Sequence, residues 1–147
     1  MSFDETNVKI MKLLASNARL SYRQMPQNIG ISTNTVLTRV KDLQNEGVIK
    51  HYTAVFDHEK LGYDLAAIIE LTISKGKLIE VEQEIAKSKN VLAVYDVTGT
   101  TDAIVLAKFK TRGELNKFIK KILVMEFIER TNTRVILNTI KEDFRLL

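Results

Sequence analysis

Asn34, Thr35, Thr38, Arg39 and Lys41 fall within one short stretch of the chain, "STNTVLTRVK", which begins at Ser32. At about 100° per residue, Asn34, Thr38 and Lys41 share one side of a helix and Thr35 and Arg39 flank it. Val36, Val40 and Leu43 take the opposite side. A stripe of this kind has the chemistry to hold DNA. A carboxamide such as Asn34 reads adenine through two hydrogen bonds, the hydroxyls of Thr35 and Thr38 meet base edges or a thymine methyl, and Arg39 and Lys41 hold phosphate or guanine. Tyr22 and Arg23, upstream, are placed for backbone phosphates, and Lys50 with His51, downstream, for a neighbouring one. Any solvated helix presents a polar face too, and Asp42 and Glu46 are within reach of Arg39 as intrahelical partners.

Other chemistries find little support. There is no cysteine, which removes thiol nucleophiles, thiolate metal sites and disulfides, and His51 and His58 alone make a poor metal set. No activated nucleophile, glycine-rich phosphate loop or histidine–carboxylate constellation stands out, so the chain is not expected to be an enzyme. Formal net charge is +4, but residues 1–60 carry eight Lys or Arg against six Asp or Glu and residues 61–147 carry fourteen against twelve, so charge alone places no nucleic-acid face. The start lacks a basic-then-apolar leader, and apolar runs such as Leu65 to Ile69 are too short for a membrane span, so a cytoplasmic location with no membrane partner is expected.

The elements that must position the polar stripe can be read from their punctuation. Asp4 is a fitting N-cap for a helix with Val8, Ile10, Met11, Leu13 and Leu14 at helical spacing. Ser21-Tyr22-Arg23-Gln24 fits a capping box that opens a second helix, and Gly30 suits its left-handed stop. Ser32 then caps a third helix that ends near Gly47. Two capped helices joined by a short glycine turn predict a helix-turn-helix over residues 1–50. "VIKHYTAVFD", rich in β-branched and aromatic residues, predicts a wing strand or hairpin, with residues 51–63 as wing and linker. Pro26 falls inside the second helix, where an interior position would cost ~3 kcal/mol, a cost largely avoided in the first turn.

From residue 64 onward the pattern alternates. "LAAIIELTI", "VLAVYDVT", "DAIVLAKF" and "RVILNTI" read as strands. Helical spacing at Leu78, Val81, Ile85 and Ala86, and at Leu115, Phe118, Ile119 and Ile122 after the Thr111–Glu114 capping box, supplies two helices. The order βαββαβ predicts a ferredoxin-like domain over residues 64–147, hence an α+β fold overall. Leu65, Ala67, Ile69, Leu71 and Ile73 lie on one face of the first strand and Ala66 and Ile68 on the other. The second strand sets Val91, Ala93, Tyr95 and Val97 against Leu92 and Val94. Two helices cover only one face, so the other is expected to pack on a second copy. Burying even ~500 Å² of apolar area there supplies ~12 kcal/mol before association costs.

Three stretches, "ARLSYRQMPQNIGISTNTVLTRVKDLQNEGVIKHYTAVFDHEKLGY", "VYDVTGTTDAIVLAKF" and "IERTNTRVIL", together resemble the Lrp/AsnC (feast/famine) transcription regulators, in order and spacing over nearly the whole chain. The resemblance implies a winged helix-turn-helix joined to a ferredoxin-like effector and assembly domain, with homodimers paired through their sheets and, often, an octameric ring of four dimers. It also implies an effector site at the G-x-x-D turn, here Gly99, Thr100, Thr101 and Asp102, and at Thr131 and Thr133 of the last strand. A free amino acid would suit such a site. Its ammonium seeks a carboxylate such as Asp102, and its carboxylate seeks backbone N–H groups at a glycine turn. The alternative is a plain β-turn capped by Asp102. Pro26 and the absence of a proline-glycine turn in "VMEFIERT" depart from the family pattern. The function expected is a sequence-specific transcription regulator binding double-stranded DNA and responding to an amino acid, with no other cofactor; the alternative is an architectural DNA-binding protein with no effector.

Overall fold

The computed structural model describes residues 3–74 and 76–146. The chain divides into two compact units, Met1–Val55 with Glu142–Leu147, and Phe56–Lys141.

In the first unit, α1 (Glu5–Ser16) opens where the Asp4 carboxylate accepts the Asn7 N–H at 2.8 Å. The capping box at Ser21 forms only in part. Gln24 Oε1 accepts both the Ser21 N–H at 2.9 Å and the Ser21 hydroxyl at 3.0 Å, so the serine oxygen serves the glutamine instead of the backbone. Residues 22–24 are therefore a turn, and α2 begins later than the box suggests, at Met25–Ile29. That start answers the question of Pro26. It sits at the second helical position, where an N–H would have no intrahelical acceptor, so its missing donor costs nothing. Gly30 ends the helix at φ 71°, a conformation that L side chains rarely adopt. Its N–H donates to Pro26 O at 2.8 Å. The third helix, α3 (Thr33–Asn45), follows after a three-residue turn, Gly30 to Ser32, and Ser32 Oγ accepts the Thr35 N–H at 3.1 Å. Ile10, Met25, Val36 and Val40 are fully buried, and Met11 and Leu43 close the small core between the three helices.

The expected wing strand is not there. Residues 50–57 of "VIKHYTAVFD" form no ladder, and Val55 and Phe56 are 90% and 63% exposed. β-Branched residues favour an extended backbone, but a strand also needs a neighbour to pair with, and no other described segment offers one.

The second unit holds β1 (Leu65–Ile73), α4 (Leu78–Ala86), β2 (Val91–Asp96), β3 (Ala103–Phe109), α5 (Arg112–Leu123) and β4 (Ile128–Val135). The sheet order β2-β3-β1-β4 with antiparallel pairing is the ferredoxin-like arrangement. Val81 and Ile85 of α4 and Leu115, Phe118 and Ile122 of α5 pack on Ala67, Ile69, Leu71, Val105 and Phe109, and the Phe109 and Phe118 rings lie 5.4 Å apart.

Two strand readings need correction. The last strand is "IERTNTRV", not "RVILNTI", of which only Arg134 and Val135 belong to it; Leu137 and Ile140 beyond are 97% and 88% exposed. Ladder hydrogen bonds do not read side chains, and an edge strand needs fewer apolar residues than a central one, so β4 is polar; beyond it Ile136 still donates its N–H to Ala66 O at 2.9 Å, and the chain then leaves the sheet. In β2 the register shifts between Val91 and Ala93. Val91 and Val94 consequently both face the helices, opposite Ala107 and Val105, while Ala93 and Tyr95 face the open side with Leu106 and Ile104. The open face is thus apolar at Ala93, Tyr95, Ile104, Leu106 and Ile68 but polar toward the end of β1 and along β4, where Arg130, Asn132 and Arg134 stand opposite Thr72, Glu70 and Ile68.

Candidate functional site

Helix α3 buries Val36, Val40 and Leu43, and that burial fixes which side it presents. Asn34, Thr38 and Lys41 are all exposed, and no hydrogen bond or ion pair occupies their side chains among the described residues. Ser32 and Thr35 are exposed but engaged with each other, their hydroxyls 2.8 Å apart at the helix start. Arg39 is held by neither Asp42 nor Glu46. Its Nη2 lies 2.8 Å from Asp4 Oδ2, tying the middle of α3 to the cap of α1. Leu37 escaped the sequence reading. It is 48% exposed, which puts it on the same stripe as Asn34, Thr38 and Lys41. A side chain able to meet a thymine methyl is useful there. The available signal was one apolar residue on an otherwise polar face. Tyr22, Arg23 and Lys50 are also exposed, and burial together with the nearby Tyr22 pushes the Tyr52 phenol above its usual range.

In the second unit the Gly99–Asp102 turn, with Gly99 at φ 125°, is stitched to the end of β1. The Thr101 hydroxyl donates to Leu71 O at 2.8 Å, the Asp102 N–H donates to the same oxygen at 2.9 Å, and Asp102 Oδ2 accepts the Ile73 N–H at 2.8 Å. One carboxylate oxygen of Asp102 thereby stands in for a ladder partner where β3 has ended.

Thr100 and Thr101 border a polar cavity of about 260 Å³ on the open side of the sheet; Gly99 and Asp102 shape the turn but do not line it. Its floor is Glu70 and Thr72 of β1, and its wall is Arg130, Asn132 and Arg134 of β4. Glu70 accepts from Asn132 Nδ2 at 2.7 Å and from Arg134 Nε at 2.9 Å. Those two hydrogen bonds, then the charges of Arg134 and Arg130, hold its carboxyl below the usual value of 4.5. Thr131 and Thr133 pair with Leu71 and Ile69, on the helix-facing side, so the structure does not bring them to this cavity. The sequence signal lay in "ERTNTR" all along, but period-two alternation offers two sets, and only the register with β1 says which one faces the turn. Among the described residues no group of three or more His, Cys, Asp or Glu is placed to hold a metal ion, and no helix is long and apolar enough to cross a membrane.

A helix-turn-helix followed in the chain by a ferredoxin-like domain with a small polar cavity defines the class of DNA-binding regulators with a ligand-binding module. Family models agree: winged helix-turn-helix DNA-binding matches residues 3–50, and the Lrp/AsnC ligand binding domain matches residues 66–146. The chain belongs to the Lrp/AsnC family of transcription regulators. It is 44% identical to an uncharacterised HTH-type transcriptional regulator of Pyrococcus furiosus over 99% of both chains. It is also 35% identical to the HTH-type transcriptional regulator FL11 of Pyrococcus horikoshii, over 97% of this chain and 95% of that one. Among solved structures, a transcriptional regulator of Neisseria meningitidis in complex with L-methionine superposes with TM-score 0.90 at 26% identity, covering 99% of this chain and 97% of the other.

Proposed function

We propose that the protein binds a palindromic DNA site as a homodimer and that a small molecule of the amino-acid class, held by the C-terminal domain, changes its assembly and hence its grip on DNA. The observation that carries the DNA reading is the exposed stripe Asn34, Leu37, Thr38 and Lys41 on a helix whose other side is locked into a core. Tyr22, Arg23, Ser32, Thr35, Arg39 and Lys50 surround it as phosphate and edge contacts. Arg39 reaches DNA by exchanging Asp4 for phosphate, a small loss because an exposed pair of this kind contributes only ~0–1 kcal/mol.

The dimer reading rests on the open sheet face. Ala93, Tyr95, Ile104, Leu106 and Ile68 point away from the helices, and a matching face on a second copy would cover them isologously. An octamer of four such dimers is the next level of assembly, and the cytoplasm is the compartment such a regulator needs. No catalytic role is assigned to any residue. The amino-acid class is supported by the ligand-binding-domain match and by the L-methionine complex of the Neisseria relative. Thr100 and Thr101 border the site, Gly99 and Asp102 hold their turn in shape, and Thr131 and Thr133 brace β4 from its helix-facing side. Regulation requires that the effector bind one assembly better than another.

Fluorescence anisotropy on DNA from upstream of the protein's own gene, against shuffled DNA of equal length at two salt concentrations, tests this. A preference of ~10³-fold or more is the expected outcome. Equal, steeply salt-dependent binding would replace it with architectural DNA compaction.

A further inference from the structure

We infer that the cavity between the Thr100–Thr101 turn and strand β4 selects an acidic amino acid, a small ligand carrying two carboxylates and one ammonium. This rests on the effector reading above and narrows it to a ligand class.

Charge is the first argument. Three ionised side chains border the cavity: the carboxylate of Glu70 and the guanidinium groups of Arg130 and Arg134. Glu70 is bonded directly to Arg134 at 2.9 Å, so these two balance each other. Arg130 stands opposite Thr72 on the neighbouring strand and forms no ion pair among the described residues. The cavity therefore keeps one uncompensated positive charge, and a ligand of net charge −1 restores the balance. A neutral zwitterion leaves the charge in place, and a basic amino acid adds to it.

Donor chemistry points the same way. A guanidinium pairs with a carboxylate through two parallel hydrogen bonds and fixes its plane, which suits Arg130 to one end of such a ligand. The hydroxyl of Thr72 and that of Thr100 remain for the second carboxylate, since no hydrogen bond occupies either among the described residues. The Thr101 hydroxyl already donates to Leu71 O and can only accept. Glu70 carries more lone pairs than Asn132 and Arg134 occupy, which leaves it able to take an ammonium.

Polarity argues against the main alternative. The cavity volume is about 260 Å³. That space suits a single amino acid of the size of aspartate, glutamate or methionine, so the polarity of the lining decides among them. The lining consists mainly of guanidinium, carboxylate, carboxamide and hydroxyl groups, and its apolar surface is limited to threonine methyls and the methylene stems of the arginines and Glu70. A thioether or branched aliphatic side chain would find little to bury against, and would forgo most of the gain in affinity that each buried methylene otherwise brings.

Isothermal titration of the full chain with L-glutamate, L-aspartate, L-glutamine, L-methionine, L-lysine and 2-oxoglutarate, at fixed ionic strength, tests the assignment. One of the two acidic amino acids should bind at least tenfold more tightly than L-glutamine, L-methionine and L-lysine. Arg130→Gln should remove that preference at unchanged melting temperature, and the same ligand should shift DNA affinity of the unaltered protein. Glu70→Gln should erase or reverse the advantage of the acidic amino acid over 2-oxoglutarate, which lacks the ammonium and carries one more negative charge; equal binding of both to the unaltered protein would overturn the amino-acid part. Preferred binding of L-methionine or another neutral amino acid, insensitive to Arg130→Gln, would overturn the assignment while leaving an effector domain in place. Binding of none, with no change in DNA affinity, would remove the effector reading as well.

Discussion

Single side chains divide here between those that hold the fold and those left available, and hydrogen bonding separates the two. Asn34, with nothing occupying its carboxamide among the described residues, belongs to the second group. Replacing it with Ala should relax base preference at one position of each half-site by ~1–3 kcal/mol, whereas Arg23→Ala should weaken binding to all sequences alike; a binding-site selection on both variants measures the difference. Asp102 belongs to the first group. Asp102→Ala leaves the Ile73 N–H without its partly buried acceptor, so a loss of ~1–3 kcal/mol in urea unfolding is expected alongside any effect on effector response. Glu70 titrates below 4.5 because Asn132 and Arg134 donate to its ionised form. A depressed carboxylate contributes stability above its unfolded pKa, and that contribution fades as pH falls below 4.5 toward the folded value. Carbon-detected NMR titration should find Glu70 below 4.5 and rising in Arg134→Gln; an unchanged midpoint would mean the pair does not persist in solution.

Elements are set chiefly by their ends. Helices α1, α3 and α5 begin at residues whose side chains accept an N–H three positions on, a signal that local sequence carries in full. At α2 the two punctuating residues differ in kind. Pro26 occupies the first turn and Gly30 the left-handed stop, with open space where a Cβ would go. Pro26→Ala should therefore stay within ~0.5 kcal/mol of the parent in chemical unfolding, while Gly30→Ala, carrying only backbone strain, should lose ~1–2 kcal/mol. The strands behave otherwise. Periodicity locates β1 to the residue and β3 to within one, but it picks the wrong half of "IERTNTRVILNTI" because an edge strand is defined by what it pairs with. The bulge in β2 likewise leaves no mark on apolar spacing, yet it settles that Tyr95 and not Val94 faces outward.

For the molecule as a whole, the open sheet face is the feature with the largest consequence. Ile104→Asp places a charge in the middle of it and should break an assembly built on that face. Sedimentation velocity should show a dimer or larger species for the parent and a shift toward the chain mass of 16.7 kDa for the variant. A parent already at the mass of one chain would end the sheet-pairing proposal. The helix-turn-helix, the βαββαβ order and the polar stripe of α3 were all legible along the chain, because caps, glycines and helical period are local and each needs only its near neighbours. So was the turn Gly99–Asp102, though not the use of Asp102 as a stand-in ladder partner. Folding was needed to turn Arg39 to Asp4 and to leave Leu37 exposed. It was needed, too, to put Arg130, Asn132 and Arg134, not Thr131 and Thr133, on the cavity with Thr100. The reason is register: each strand offers two faces of equal local standing, and only pairing with a strand some sixty residues away in the chain selects between them.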